Sequence, residues 1–193
     1  MKTGIFCGSF NPIHIGHLAL ANYLCEYGEL DEVWFVITPQ NPLKQESGLL
    51  ANSVRMKLVE AAVSEYPHFC ASDFEFGLPS PSYTVHTLDK LKEVYPQKTF
   101  FLVIGSDNWL IFDKWKEPER IIAENKILIY PRPHYPIDNS KPLPDTVRVV
   151  NAPLLDVSSA FIREALMNGR DIRFFLHPEV WKMISQLAEW IMK

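Results

Sequence analysis

Cysteine is scarce in this chain: Cys7, Cys25 and Cys70 are the only three in 193 residues, and none lies in a CxxC pair. An odd, scattered set builds neither a disulfide framework nor a zinc site, and reads as reduced thiols of a cytoplasmic protein. No apolar run approaches the ~20 residues needed to span a bilayer, so no membrane partner is expected. Met1-Lys2-Thr3-Gly4 leads straight into the first apolar stretch, with no signal-peptide pattern. A basic block or arginine-rich tail is missing as well, and the formal net charge is −4, which speaks against a nucleic-acid partner. No G-x-G-x-x-G run follows the first apolar stretch, which removes the oxidoreductases built on that fingerprint. Internal repeats and low-complexity segments are absent too.

What is present fits an ordinary globular unit, 47% hydrophobic and 22% charged. At this length one domain over residues 1–193 is expected, with enough chain to bury a core. The pattern alternates strand and helix. Strands are expected at 2–7, 33–37, 69–76, 99–104, 126–130 and 147–151, the runs at 33–37 and 99–104 being continuously apolar as in parallel strands covered on both faces. Helices are expected at 15–27, 52–66 with Asn52 or Ser53 as cap, 83–94, 158–168 with Ser158 or Ser159 as cap and Gly169 at its end, and 178–192. The last carries Trp181 and Trp190, which can pack on the domain's own core or on a second copy of the chain. This order implies an α/β fold with a single doubly wound, mainly parallel, Rossmann-like sheet and a C-terminal helical extension.

In such a sheet, ligands collect at the carboxyl ends of the strands. The segment there after the first strand is Gly8-Ser9-Phe10-Asn11-Pro12-Ile13-His14-Ile15-Gly16-His17. It reads as a tight loop running into a helix whose free N–H groups and positive end suit a phosphate. His14 and His17, three apart on the first turn, would project toward one point. Gly8 would supply unusual backbone dihedrals, and Gly16 would allow a ligand or strand to come close. A metal is the other reading of the histidine pair, although no adjacent Cys, Asp or Glu completes its shell.

Those ten residues resemble the signature of the HxGH-motif nucleotidyltransferases, here His14-Ile15-Gly16-His17. Asp156-Val157-Ser158-Ser159-Ala160-Phe161-Ile162-Arg163 resembles the family's second signature, ISSTxxR, with Ala160 where threonine is usual. Gly105-Ser106-Asp107 resembles its G-x-D element. Three further segments are similar to the branch that uses nicotinate mononucleotide, the nicotinate-nucleotide adenylyltransferases. Pro81-Ser82-Tyr83-Thr84-Val85-His86-Thr87-Leu88 resembles a SYTxDTL helix start, with His86 where aspartate is common. Trp115, followed by Lys116, stands where that branch stacks a tryptophan on the pyridine ring. The stretch from Pro39 to Lys44 resembles P-x-x-x-P-x-K, with the lysine displaced.

The resemblance implies AMP transfer from ATP to nicotinate mononucleotide, giving nicotinate adenine dinucleotide and pyrophosphate, with Mg²⁺ carried by ATP and no protein metal ligand. It places His14, His17 and Arg163 in catalysis. It gives ATP Gly8, Ser9, Phe10, Lys44, Gly105, Asp107, Ser158 and Ser159 besides those three, and gives the acceptor Thr84, Val85, Trp115 and Lys116. Lys44 reads equally as a phosphate clamp or a solvated lysine, Trp115 as core or stacking ring, Arg55 as structural or facing the cleft. Arg132 lies within reach of the nucleotide. Other acceptors, nicotinamide mononucleotide or pantetheine phosphate, and a nucleotide-binding protein without catalysis remain as alternatives.

Overall fold

The computed structural model describes residues 1–40, 48–138, 140 and 142–191, with side chains in the last helix described through residue 187. Six parallel strands form one sheet: β1 (Lys2–Gly8), β2 (Glu32–Ile37), β3 (Phe69–Ser72), β4 (Thr99–Gly105), β5 (Lys126–Tyr130) and β6 (Val147–Val149), in the order β3-β2-β1-β4-β5-β6. Seven helices accompany them among the described residues: α1 (Ile15–Glu26), α2 (Asn52–Val63), α3 (Thr84–Val94), α4 (Ser106–Trp109), α5 (Pro118–Glu124), α6 (Ser159–Met167) and α7 (Pro178–Ile191). The expected doubly wound architecture is present, and its sheet is parallel throughout. The winding reverses between β1 and β4, so the crevice between their carboxyl ends is the switch point where such sheets bind ligands.

Alternation along the strands distributes the apolar side chains to two faces. Phe101 and Val103 of β4 join a cluster with α1, α2, α6 and α7, whereas Leu102 and Ile104 face α3 and α5. Burial on both sides explains why the sequence of β4 is unbroken in its apolar character.

Several expectations are corrected. The third strand ends at Ser72 and not at 76; Phe74–Gly77 forms a 3₁₀ turn, with the Phe76 N–H donating to the Asp73 carbonyl at 2.7 Å. That turn carries Glu75 inward. Helix α2 stops at Val63 because Pro67 lacks an N–H and disfavours helical dihedrals at Tyr66. Neither Asn52 nor Ser53 caps it; the cap position is Ala51, and Asn52 Oδ1 instead accepts from Arg55 at 2.6 Å. The last strand is shorter than expected, ending at Val149, although the Val150 N–H still bonds the Ile129 carbonyl at 2.8 Å. Ser158 caps α6 as expected, accepting the Phe161 N–H at 3.1 Å, and Gly169 follows with φ +63°. Trp181 packs against the chain's own core under the Arg173 guanidinium, 5.8 Å from its ring.

Candidate active site

A cavity of about 380 Å³ opens at the switch point, walled by the carboxyl ends of β1, β4 and β5 and by the starts of α1, α3 and α6. A smaller recess of about 70 Å³ adjoins it behind His14, His17, Tyr130 and Arg132.

The loop after β1 is shaped differently from the sequence expectation. Gly8 has no left-handed φ; Phe10 has it, at 42°, and tucks its ring beneath the loop at 2% exposure. A Cβ on Gly8 would meet that ring at 3.0 Å, so the glycine makes room for Phe10. Gly16 makes room for a catalytic candidate and not for a neighbouring strand, since its Cβ would press on the His14 ring at 3.1 Å. Beneath the loop Arg55 is fully buried. It donates to the carbonyls of Ser9 (2.6 Å), Thr38 (2.9 Å) and Leu50 (3.1 Å), tying the ends of β1 and β2 together. Of its two readings, the structural one holds.

His14 is not on the first helical turn. It is the extended N-cap residue of α1, and its ring stacks on that of His17 with centroids 3.7 Å apart. The His14 N–H donates to His17 Nδ1 at 3.3 Å, which leaves Nε2 of a neutral His17 to carry its proton. Burial, then the Arg132 charge, lowers the His14 pKa to about 4. Burial, the neighbouring His14 and Arg132 hold His17 well below the ordinary histidine value. Two neutral imidazoles result at neutral pH, each with one N–H to donate. The metal reading of this pair gains nothing: among the described residues no three His, Cys, Asp or Glu side chains group around a metal position.

The second signature segment is bonded directly to the first. Ser159 Oγ donates to the Pro12 carbonyl at 2.9 Å, and an Arg163 guanidinium nitrogen donates to the Asn11 carbonyl at 2.8 Å. Ser158, Ser159, Ala160 and Arg163 then share the cavity wall with His14 and His17. Helix N-terminal amides, hydroxyls and a guanidinium make this end an anion cradle.

At the end of β4, Gly105 lines the cavity while Asp107 does not. The Asp107 carboxylate holds Arg132 at 3.1 Å, and a Cβ on Gly105 would lie 2.3 Å from that carboxylate and 2.8 Å from Arg132 Cδ. Gly105 and Asp107 therefore aim Arg132 into the cavity.

The acceptor candidates lie at the opposite end. Thr84, Trp115 and Lys116 line it. The Val85 side chain is core at 2% exposure, so only its amide can serve; the first intrahelical donors of α3 are His86 and Thr87, both to the Tyr83 carbonyl. Trp115 lies tilted on Phe112 with centroids 4.8 Å apart, and its Nε1 is buried without a partner. Lys116 Nζ stands 4.7 Å over the Tyr83 ring, and His86 is exposed on that ring's other side. Lys44 lies outside the described residues.

Sequence reasoning missed Glu75. It is 3% exposed, lines the cavity, and accepts from Ser82 Oγ and Thr87 Oγ1, each at 2.9 Å. The signal available was a lone acid between Phe74 and Phe76. Burial, reinforced by the Glu75 charge, holds the adjacent Cys7 thiol well above its ordinary pKa.

Comparisons with known proteins agree with this geometry. The cytidylyltransferase-like family model matches residues 5–165. A Bacteroides thetaiotaomicron protein named "Probable nicotinate-nucleotide adenylyltransferase" is 62% identical over 186 residues, 96% of this chain and 92% of the relative. A Bacteroides fragilis protein of the same name is 60% identical over 190 residues, 98% and 94% of the two chains. Among solved structures, the Plasmodium falciparum nicotinic acid mononucleotide adenylyltransferase complexed with NaAD has the same fold. Its TM-score is 0.80 at 24% identity, covering 96% of this chain and 95% of that one.

Proposed function

The chain belongs to the cytidylyltransferase-like family, and from that premise we propose that it transfers AMP from ATP to nicotinate mononucleotide, releasing pyrophosphate and nicotinate adenine dinucleotide. One observation carries the reading. A single cavity presents His14, His17 and Arg163 at one end and Thr84, Trp115 and Lys116 at the other. The names of the Bacteroides relatives support the same acceptor.

The acceptor's phosphomonoester has a second pKa near ~6 and is largely dianionic at neutral pH, so its oxygen attacks without a general base. It forms a bond to the α-phosphorus of ATP as the bond to the bridging oxygen breaks, and pyrophosphate leaves with that electron pair. Catalysis is then positioning and charge stabilisation. The N–H groups of the neutral His14 and His17 donate to ATP phosphate oxygens as charge moves onto the leaving group. Arg163 and Arg132 add fixed positive charge on the same wall. Ser158, Ser159 and the first amides of α6 hold phosphate oxygens, while Gly8, Ser9 and Phe10 shape the loop against the nucleotide. Trp115 offers a stacking face for the pyridine ring, and the amides of Thr84 and Val85 offer donors for its carboxylate.

The donor set fits a Mg²⁺ carried by ATP: hydroxyls, neutral imidazoles and guanidinium groups face the cradle, and the Asp107 carboxylate is held by Arg132. When bound, that ion neutralises phosphate charge. We further read residues 1–193 as one catalytic unit working in the cytoplasm, supported by the free thiols of Cys7, Cys25 and Cys70. No helix among the described residues is long and apolar enough to cross a membrane.

Pyrophosphate release tests the acceptor. With ATP and Mg²⁺, nicotinate mononucleotide should support release well above nicotinamide mononucleotide or pantetheine phosphate. Faster release with either of those would replace the acceptor assignment.

A further inference from the structure

We propose that the Lys116 ammonium makes this cavity select an anionic pyridine nucleotide over its neutral carboxamide counterpart, an inference that rests on the acceptor reading above. Backbone amides cannot do this alone. The N–H groups at the start of α3 donate to a carboxylate oxygen and to a carboxamide oxygen alike, so discrimination needs a full positive charge beside them. Lys116 supplies it. Its Nζ lies 4.7 Å over the ring of Tyr83, the N-cap residue of α3, and both side chains line the cavity.

The charge is also uncommitted. Among the described residues Lys90, Lys98 and Lys182 are paired with carboxylates, whereas Lys116 has only the neutral ring. A cation–π contact at an exposed site is weak, so an arriving carboxylate can draw the ammonium away. The demand for a cation is sharpened by Glu75, whose buried carboxylate lines the same cavity and anchors Ser82 and Thr87 on either side of Thr84. Without a lysine beside it, this end would repel an anionic ring. Lys114 lines the cavity too, but it is not seated on Tyr83.

The experiment compares kcat/KM for nicotinate and nicotinamide mononucleotide in the wild type and in Lys116→Ala, Lys116→Glu, Lys116→Arg and Lys114→Ala. Lys116→Ala should narrow the preference about fivefold, mainly through the KM for the nicotinate substrate, as expected for loss of a partly exposed ion pair. Lys116→Glu should narrow it further, and Lys116→Arg should restore it. An unchanged ratio in Lys116→Ala, an equal loss on both acceptors, or narrowing only in Lys114→Ala would overturn the inference and leave the acceptor reading standing. A wild-type protein that used neither acceptor would remove both.

Discussion

The imidazoles of His14 and His17 stack with ring centroids 3.7 Å apart, and the backbone N–H of His14 donates to His17 Nδ1. This contact assigns the His17 proton to Nε2 and makes the pair one unit. Two charged rings at that separation would repel strongly, so burial and proximity together keep them neutral. Their N–H groups are donors, and neither ring is a proton carrier in the proposed reaction.

His17→Ala removes one donor to the leaving group and should lower kcat about 10²–10³-fold, the usual cost of a preorganised donor. Circular dichroism should show a folded protein. Near-wild-type turnover would remove His17 from catalysis.

Gly16→Ala tests the same ring from behind. The new Cβ would lie 3.1 Å from the His14 ring, tighter than an ordinary contact, so the imidazole must shift. A fall in kcat of roughly tenfold or more, with the fold retained, is the expected outcome, since small misplacements in a positioned site are costly.

Acid should destabilise the protein through this pair. Unfolded histidine takes up a proton near ~6.5, whereas folded His14 does so only near about 4. Between those values the unfolded state binds more protons, so stability present above about 6.5 is lost as pH falls toward 4. His14 alone accounts for about 3 kcal/mol. Urea midpoints measured across that window in wild type and His14→Gln should show a shallower pH dependence in the variant.

Arg55→Met should cost several kcal/mol of stability, because it strands the buried carbonyls of Ser9, Thr38 and Leu50. It should also raise the KM for ATP, since the loop it ties carries Phe10 and leads to His14. Urea titration and steady-state kinetics on the same sample separate the two effects.

Much of the fold was legible because β2 and β4 are buried on both faces and carry unbroken apolar runs. The nucleotide cradle was legible because its residues lie in two short segments, 8–17 and 158–163. What joins those segments was not legible. The Arg163 bond to the Asn11 carbonyl links residues far apart in sequence, and nothing local announces it. The inward turn of Glu75 was missed for a similar reason, because Phe74 and Phe76 around it read as strand until β3 runs out at Ser72. The roles of Gly8 and Gly16 depended on side chains packed against them, and backbone freedom was the wrong explanation for both.

The central claim is transfer of AMP to the acceptor phosphate, and the most direct measurement follows the α-phosphorus. Incubated with α-³²P-labelled ATP, Mg²⁺ and nicotinate mononucleotide, the protein should place the label in nicotinate adenine dinucleotide, one mole for each mole of pyrophosphate released. Label remaining in ATP, or appearing as AMP or ADP with no dinucleotide formed, would contradict the account.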